Sequence, residues 1–322
     1  GDIIFPVRES ARPGWRELRK LISEYRALLK PLAIEGAPDL LIFRPVAFLL
    51  VQLLKRFPIT PNQVSFSAIG TGLLCGFCLA IGTRRSFFFA GLIYLITVVL
   101  DCADGMLARL KKSGTPLGRV VDGFIDYSNG VAVMVGLGLG LPRMGLDLPL
   151  DSWTVVALAG ASMALHCGVV DYFRGQYAFH ALGAKDSLFA DIRRQEEMLG
   201  SLRKEGRRRF RRLVLKVSLA YHKGQARLAA GPRRFDAREY ARYNRWTLRG
   251  WFMIELTVHI VVLVVSAFLY EPRVFFVYTI VIANAWLLVM APVQYFVNRR
   301  VAARSRPPGP LEDGRGPAVG IS

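Results

Sequence analysis

Apolar residues in this chain gather into runs about as long as a membrane span, separated by polar stretches rich in Lys and Arg. A helix needs about 20 such residues to cross the hydrocarbon core of a bilayer. Runs of that length lie at about 62–82, 86–110, 118–141, 152–178, 249–270 and 273–298, and they predict six transmembrane helices. Two shorter patterns precede them. Around Trp15–Leu29, Leu18, Leu21, Ile22, Leu28 and Leu29 alternate at helical spacing with Arg16, Arg19, Lys20, Arg26 and Lys30, which predicts a helix suited to an anionic membrane surface or to the protein's own cytosolic face. Asp39–Phe57 is apolar but holds Arg44, Pro45, Lys55 and Arg56, so it reads as an interfacial helix beside the bundle. Thr60 and Pro61 then form a helix start, with Thr60 as cap. The expected fold is all-α: a polytopic membrane protein of six spans plus interfacial and cytosolic amphipathic helices. Residues 1–60 form the amino-terminal helices, 61–300 the six-span domain, and 301–322 a Pro- and Gly-rich tail without order.

Charge orients this arrangement. The chain is 52% hydrophobic yet carries a net charge of +19. Its basic residues fall in the amino-terminal segment, the 109–119 turn, the 179–249 segment and the 298–306 stretch, all on one side of the predicted spans. By the positive-inside rule that side is cytosolic, and both termini with it. Within it, 183–249 forms a basic insertion with 19 Lys plus Arg against 7 Asp plus Glu. Apolar positions between Asp186 and Tyr221 recur at amphipathic spacing, which favours contact with anionic lipid; no aromatic pattern supports nucleic-acid binding. Cys75, Cys78, Cys102 and Cys167 lie in apolar segments, so packed thiols are expected rather than disulfides. His166, His180, His222 and His259 fit no ligand spacing, and His259 reads as a hydrogen-bonded core residue.

Chemistry concentrates between Asp101 and Asp126, DCADGMLARLKKSGTPLGRVVDGFID. Asp101, Asp104, Gly105 and Ala108 share one helical face; Gly118, Asp122 and Asp126 share another, beyond a basic Gly/Pro turn. A helical hairpin would bring four carboxylates together near one membrane surface. Each ionised Asp at the centre of a bilayer costs roughly 2.5–3.5 kcal/mol on insertion scales, and four like charges would repel. Hard divalent cations such as Mg²⁺ or Mn²⁺ resolve both problems, and a pair of them can clamp a phosphoryl group. Gly105 and Ala108 leave room for a bulky anion, and Arg109 with Lys111 or Lys112 would meet its phosphates. Asp171 and Arg174 lie near the same membrane face, where they either pair with each other or line an acceptor pocket.

The spacing Asp101-x2-Asp104-Gly105-x2-Ala108-Arg109-x8-Gly118-x3-Asp122-x3-Asp126 resembles, at every position, the motif of the CDP-alcohol phosphotransferases, integral membrane enzymes of phospholipid biosynthesis. The resemblance covers roughly residues 40–180. It implies that a hydroxyl acceptor displaces CMP from a CDP-linked donor. Asp101, Asp104 and Asp122 would ligate two divalent cations (Mg²⁺ or Mn²⁺). Asp126 would be the general base and would also touch a metal. Gly105, Ala108, Arg109 and Gly118 would line the nucleotide and pyrophosphate site. The donor expected is CDP-diacylglycerol and the acceptor a small polar alcohol: inositol, inositol phosphate, glycerol phosphate or serine. The reverse arrangement, a soluble CDP-alcohol donating to a lipid hydroxyl, stays open. So do a homodimer and, from another class, a cation transporter using the intramembrane carboxylates.

Overall fold

The computed structural model describes residues 13–113, 116–146, 148–183, 187–204 and 235–304, with scattered positions between 212 and 224; the side chains of 116–126 fall outside the described ones. All regular structure among these residues is helical. The elements are α1 (Pro13–Leu28), α2 (Arg44–Leu54, entered through a π-turn at Asp39–Phe43), α3 (Pro61–Ile81), α4 (Arg84–Leu110), α5 (Pro116–Gly140), α6 (Ser152–Ala181) and α7 (Ser187–Lys204). After the basic segment come α8 (Ala237–Trp251), α9 (Leu256–Leu269), the short α10 (Arg273–Phe276), a π-helical stretch at Val277–Ile282, and α11 (Ala283–Arg304).

Helix starts follow local chemistry. Thr60 accepts from the Gln63 backbone N–H at 3.3 Å while the Gln63 side chain accepts from the Thr60 N–H at 2.8 Å, a reciprocal capping box that fixes the entry to α3. Thr83 and Ser86 repeat the device at α4, and Asp151 caps α6. Gly82, at φ 77°, ends α3 in the left-handed conformation that glycine adopts without strain.

Helix α3 packs along its length against both α4 and α5. The α3–α5 approach is close enough to exclude side chains: a Cβ on Gly76 would strike the Ala132 backbone, and one on Gly136 would strike the backbone of Gly76. Gly72 lies against the buried side chain of Asn129, and Gly140 against the Leu79 carbonyl. Gly72, Gly76, Gly136 and Gly140 therefore serve helix packing, as small residues do in lipid.

Five helices among the described residues are long and apolar enough to cross a membrane: Pro61–Ile81, Arg84–Leu110, Ser152–Ala181, Ala237–Leu269 and Arg273–Arg304. The remaining predicted span corresponds to α5, a helix of 25 residues whose first part lies beyond the described side chains. Two boundaries differ from expectation. The span placed at 249–270 begins at Ala237, because Tyr240, Asn244, Leu248 and Trp251 bury one face of α8 against α6 and α11. The end of the basic insertion is thus part of the bundle. In addition, α11 continues through Arg304, so 301–304 are helical rather than tail; the rest of the tail lies outside the described residues.

Helix α1 spans the predicted segment, and its last turn packs on the protein itself, the second of the two expected placements. Its last turn docks through Leu28, through Tyr25 on Phe48, and through a Glu24–Lys55 ion pair at 3.0 Å, while Leu18, Leu21 and Ile22 stay exposed. Leu41, Val46, Leu49 and Leu53 leave an exposed apolar stripe on the Asp39–Leu54 segment, as an interfacial helix requires. Within the bundle, His166 and His259 stack at 5.2 Å between ring centres and share a 3.2 Å hydrogen bond. Thr279 and Asn284 occupy their outer nitrogens, both at 3.2 Å, joining α6, α9 and the Val277–Arg304 segment through buried polar contacts. His259 is the hydrogen-bonded core residue expected of it.

Arg174 donates to Asp171 at 2.8 Å, as pairing predicted, and also to Glu255 at 2.8 Å. Glu255 is nearly inaccessible and makes the second contact the more consequential one. Arg174→Ala leaves that carboxylate buried without its cation, and is expected to destabilise the fold by about 3–5 kcal/mol. Chemical denaturation of the detergent-solubilised protein measures this; Arg174→Ala/Glu255→Gln should recover most of the loss.

Candidate active site

The site is built on the last two turns of α4. Asp101, half-buried, and Asp104, 5% exposed, rise from the same face as Gly105 and Ala108. Ser65, one turn into α3, places its Oγ 2.5 Å from Asp104 Oδ2 and 3.1 Å from the Pro61 carbonyl. The carboxylate, charged and nearer, takes the proton. Packing of α3 on α4 therefore fixes the rotamer of Asp104. Arg44, buried at the start of α2, pairs with Glu35 at 3.1 Å and lies in the field of Asp39 and Asp101.

Arg109 is held from an unexpected direction. Its Nε donates to the Leu28 carbonyl at 2.7 Å, at the end of α1, where unsatisfied helix carbonyls attract a cation. This tether leaves Nη2 buried without a hydrogen-bond partner among the described residues. A buried guanidinium N–H lacking an acceptor fits an anion. Gly105 faces the same space: among the described residues, a Cβ built there meets only the Arg109 guanidinium, at 3.7 and 4.0 Å. The contrast with Gly76 and Gly136 is direct, since those glycines touch backbone.

Lys111 turns away from this space and donates to the Ile59 carbonyl at 2.5 Å. Asn62 is exposed at the first turn of α3, consistent with a role in starting the helix. On α5, Asn129, Val133, Gly136 and Gly140 form the stripe that meets α3, and positions 122 and 126 continue its three-four spacing. Gly118, Asp122 and Asp126 themselves lie outside the described side chains. No cluster of three or more His, Cys, Asp or Glu occurs among the described residues. As donors, Asp101 and Asp104 offer the hard oxygen atoms that Mg²⁺ and Mn²⁺ prefer, so the part of the set that is described fits those ions chemically.

Ser65, Glu255 and the Leu28 carbonyl were not foreseen from the sequence. Ser65 differs from Ser67, which bonds only the Gln63 carbonyl, in nothing but its face of α3.

Long apolar helices, with carboxylates and an arginine at the end of one of them, define an integral membrane protein with an intramembrane acidic site. Residues 58–182 match the model of the CDP-alcohol phosphatidyltransferase family. Over 140 residues it is 31% identical to the bifunctional IPC transferase and DIPP synthase of Rubrobacter xylanophilus. That alignment covers 42% of this chain and 28% of that protein. The chain thus matches little more than a quarter of the length of this curated relative.

Proposed function

We propose that the protein is a metal-dependent phosphotransferase that moves a phosphatidyl group from CDP-diacylglycerol to the hydroxyl of a small polar alcohol and releases CMP. The observation that carries this reading is the buried Arg109 guanidinium N–H without a partner among the described residues, beside Gly105, whose added Cβ meets only that guanidinium among them. A cation so placed suits a pyrophosphate, on the face that bears Asp101 and Asp104. The family match of residues 58–182 and the transferase named in the relative support the same class of chemistry.

Asp101, Asp104 and Asp122 would hold two divalent cations, with Asp126 touching one of them. When bound, these ions neutralise the pyrophosphate and the charge developing on CMP. Ser65 keeps Asp104 oriented, and the Leu28 carbonyl keeps Arg109 aimed at the donor phosphates. Gly105, Ala108 and Gly118 leave the helix surfaces bare for the nucleotide. Asp126 accepts the proton of the acceptor hydroxyl, whose pKa lies far above neutral. The hydroxyl oxygen bonds to the lipid-side phosphorus as the bond from that phosphorus to the bridging oxygen breaks, and CMP departs with its electron pair. The site then opens to the cytosol, as the distribution of basic residues requires, with both termini on that side.

The test is the lipid formed by purified protein supplied with CDP-diacylglycerol and, in turn, inositol, inositol phosphate, glycerol phosphate and serine. One acceptor should give a new phospholipid with stoichiometric CMP, and a strong chelator should stop the reaction. Product formed only from a soluble CDP-alcohol and diacylglycerol would reverse the roles of donor and acceptor. CMP release that persists under chelation would remove the metals.

A further inference from the structure

A second feature lies outside α3, α4 and α5. Helix α8 carries Arg238, Arg242, Arg245 and Arg249 at steps of four, three and four residues, which places them on one face. All four line a cavity of about 590 Å³, within the range of small-molecule sites. Its other walls are Tyr177 of α6, Leu32 and Ala33 of the turn after α1, and Ala241; no carboxylate among the described residues lines it. None of the four guanidinium groups makes an ion pair among the described residues. Arg242 only stacks over the Tyr243 ring, at 5.8 Å.

Four like charges at such spacing weaken a helix, since like charges one turn apart repel. The opposite face holds α8 in place regardless: Tyr240, Asn244, Leu248 and Trp251 are buried in the bundle. The repulsion is thus built into a rigid wall that an anion relieves. Eleven residues of helix extend roughly 16 Å, longer than a single phosphate. Planar guanidinium forks suit phosphate oxygens better than any other common biological anion. The cavity also adjoins the membrane boundary, because α8 runs directly into the apolar α9 and carries Trp246, 76% exposed, on its free side.

We propose that this cavity binds a phosphate-bearing anion with at least two negative charges, held by the α8 arginines and separate from the α4 carboxylate face. The anion comes either from a lipid headgroup or from a soluble phosphate compound. Two probes distinguish the sources. Full-length protein in detergent, with EDTA present to keep divalent cations from the α4 face, is titrated calorimetrically with inorganic diphosphate. In parallel, its thermal unfolding is followed in nanodiscs of phosphatidylcholine alone and of an equal mixture with phosphatidic acid.

The wild type should respond to one probe or both: diphosphate alone identifies a soluble ligand, phosphatidic acid alone a lipid. Arg242→Gln/Arg245→Gln should weaken that response about tenfold, equivalent to about 1.4 kcal/mol. Arg299→Gln/Arg300→Gln, which removes the same charge from exposed positions of α11, should leave it unchanged. Arg245→Lys, which preserves the charge and the helix but not the fork, should weaken binding several-fold even if the double variant fails to fold. The proposal is overturned if the wild type responds to neither probe, or if the α8 and α11 variants respond alike. CMP release plays no part in the readout, so failure here and failure of the phosphotransfer reading are separate results.

Discussion

Asp126→Asn is expected to lower the rate of CMP release roughly 10²–10⁴-fold, the usual contribution of a positioned general base. The amide is nearly the same shape as the carboxylate and keeps one oxygen able to meet a cation, but it cannot accept a proton at neutral pH. Divalent-ion affinity should therefore change far less than turnover. The fold should also tolerate the change, because three residues further along α5 Asn129 already seats that helix against Gly72 of α3. Asp101→Ala and Asp104→Ala make the useful contrast: each removes a proposed ligand outright, so metal binding and turnover should fall together. Manganese titration by calorimetry, alongside CMP release by purified variants, separates the two patterns. Near-normal turnover in Asp126→Asn would take that residue out of the mechanism.

Much of the fold was legible in the sequence because membrane spans are written in length and apolarity, two properties that need no knowledge of partners. The segments around α3, α4 and α6 were placed within a few residues for that reason. The start of α8 was missed for a physical reason as well. Its arginines dominate the local composition, and they obscured the three-four spacing of Tyr240, Asn244, Leu248 and Trp251, which buries the other face. A charged helix face was read as the end of a solvated insertion when it is the continuation of a packed helix.

The candidate site divides along the same line. Asp101, Asp104, Gly105 and Ala108 could be placed on one face from helical periodicity alone, and the structure places them there. What holds them could not be read. The Leu28 carbonyl that tethers Arg109 lies 81 residues earlier, and a backbone carbonyl leaves no trace in a sequence. Ser65 and Asp104 are 39 residues apart, and Arg174 and Glu255 are 81 apart. In each case one partner is an ordinary residue for a helix of its kind until tertiary packing brings the two together. The histidines show the same limit, since His166 and His259, 93 positions apart, stack without any spacing that announces a pair.

Gly105→Leu should abolish binding of a CDP-linked donor while leaving a folded protein that still binds divalent cations. The glycines of this chain are not equivalent, and the comparison among them carries the argument. At Gly76 and Gly136 an added Cβ meets the backbone of the facing helix, which cannot retreat without separating α3 from α5. Gly136→Val is accordingly expected to destabilise the bundle by about 1–3 kcal/mol or more, the usual range for overpacking. At Gly105 the same Cβ meets, among the described residues, only the flexible end of Arg109, at ordinary van der Waals distance. Leucine there would even favour the helix, by somewhat less than the roughly 1 kcal/mol that separates Gly from Ala. Its side chain would nevertheless fill the space beside the Arg109 guanidinium where a pyrophosphate has to lie. Donor titration paired with thermal unfolding distinguishes the two kinds of glycine. Loss of donor affinity at an unchanged melting temperature is the expected result for Gly105→Leu, and loss of the melting temperature for Gly136→Val. Intact donor affinity in a stable Gly105→Leu protein would remove the nucleotide from this face of α4.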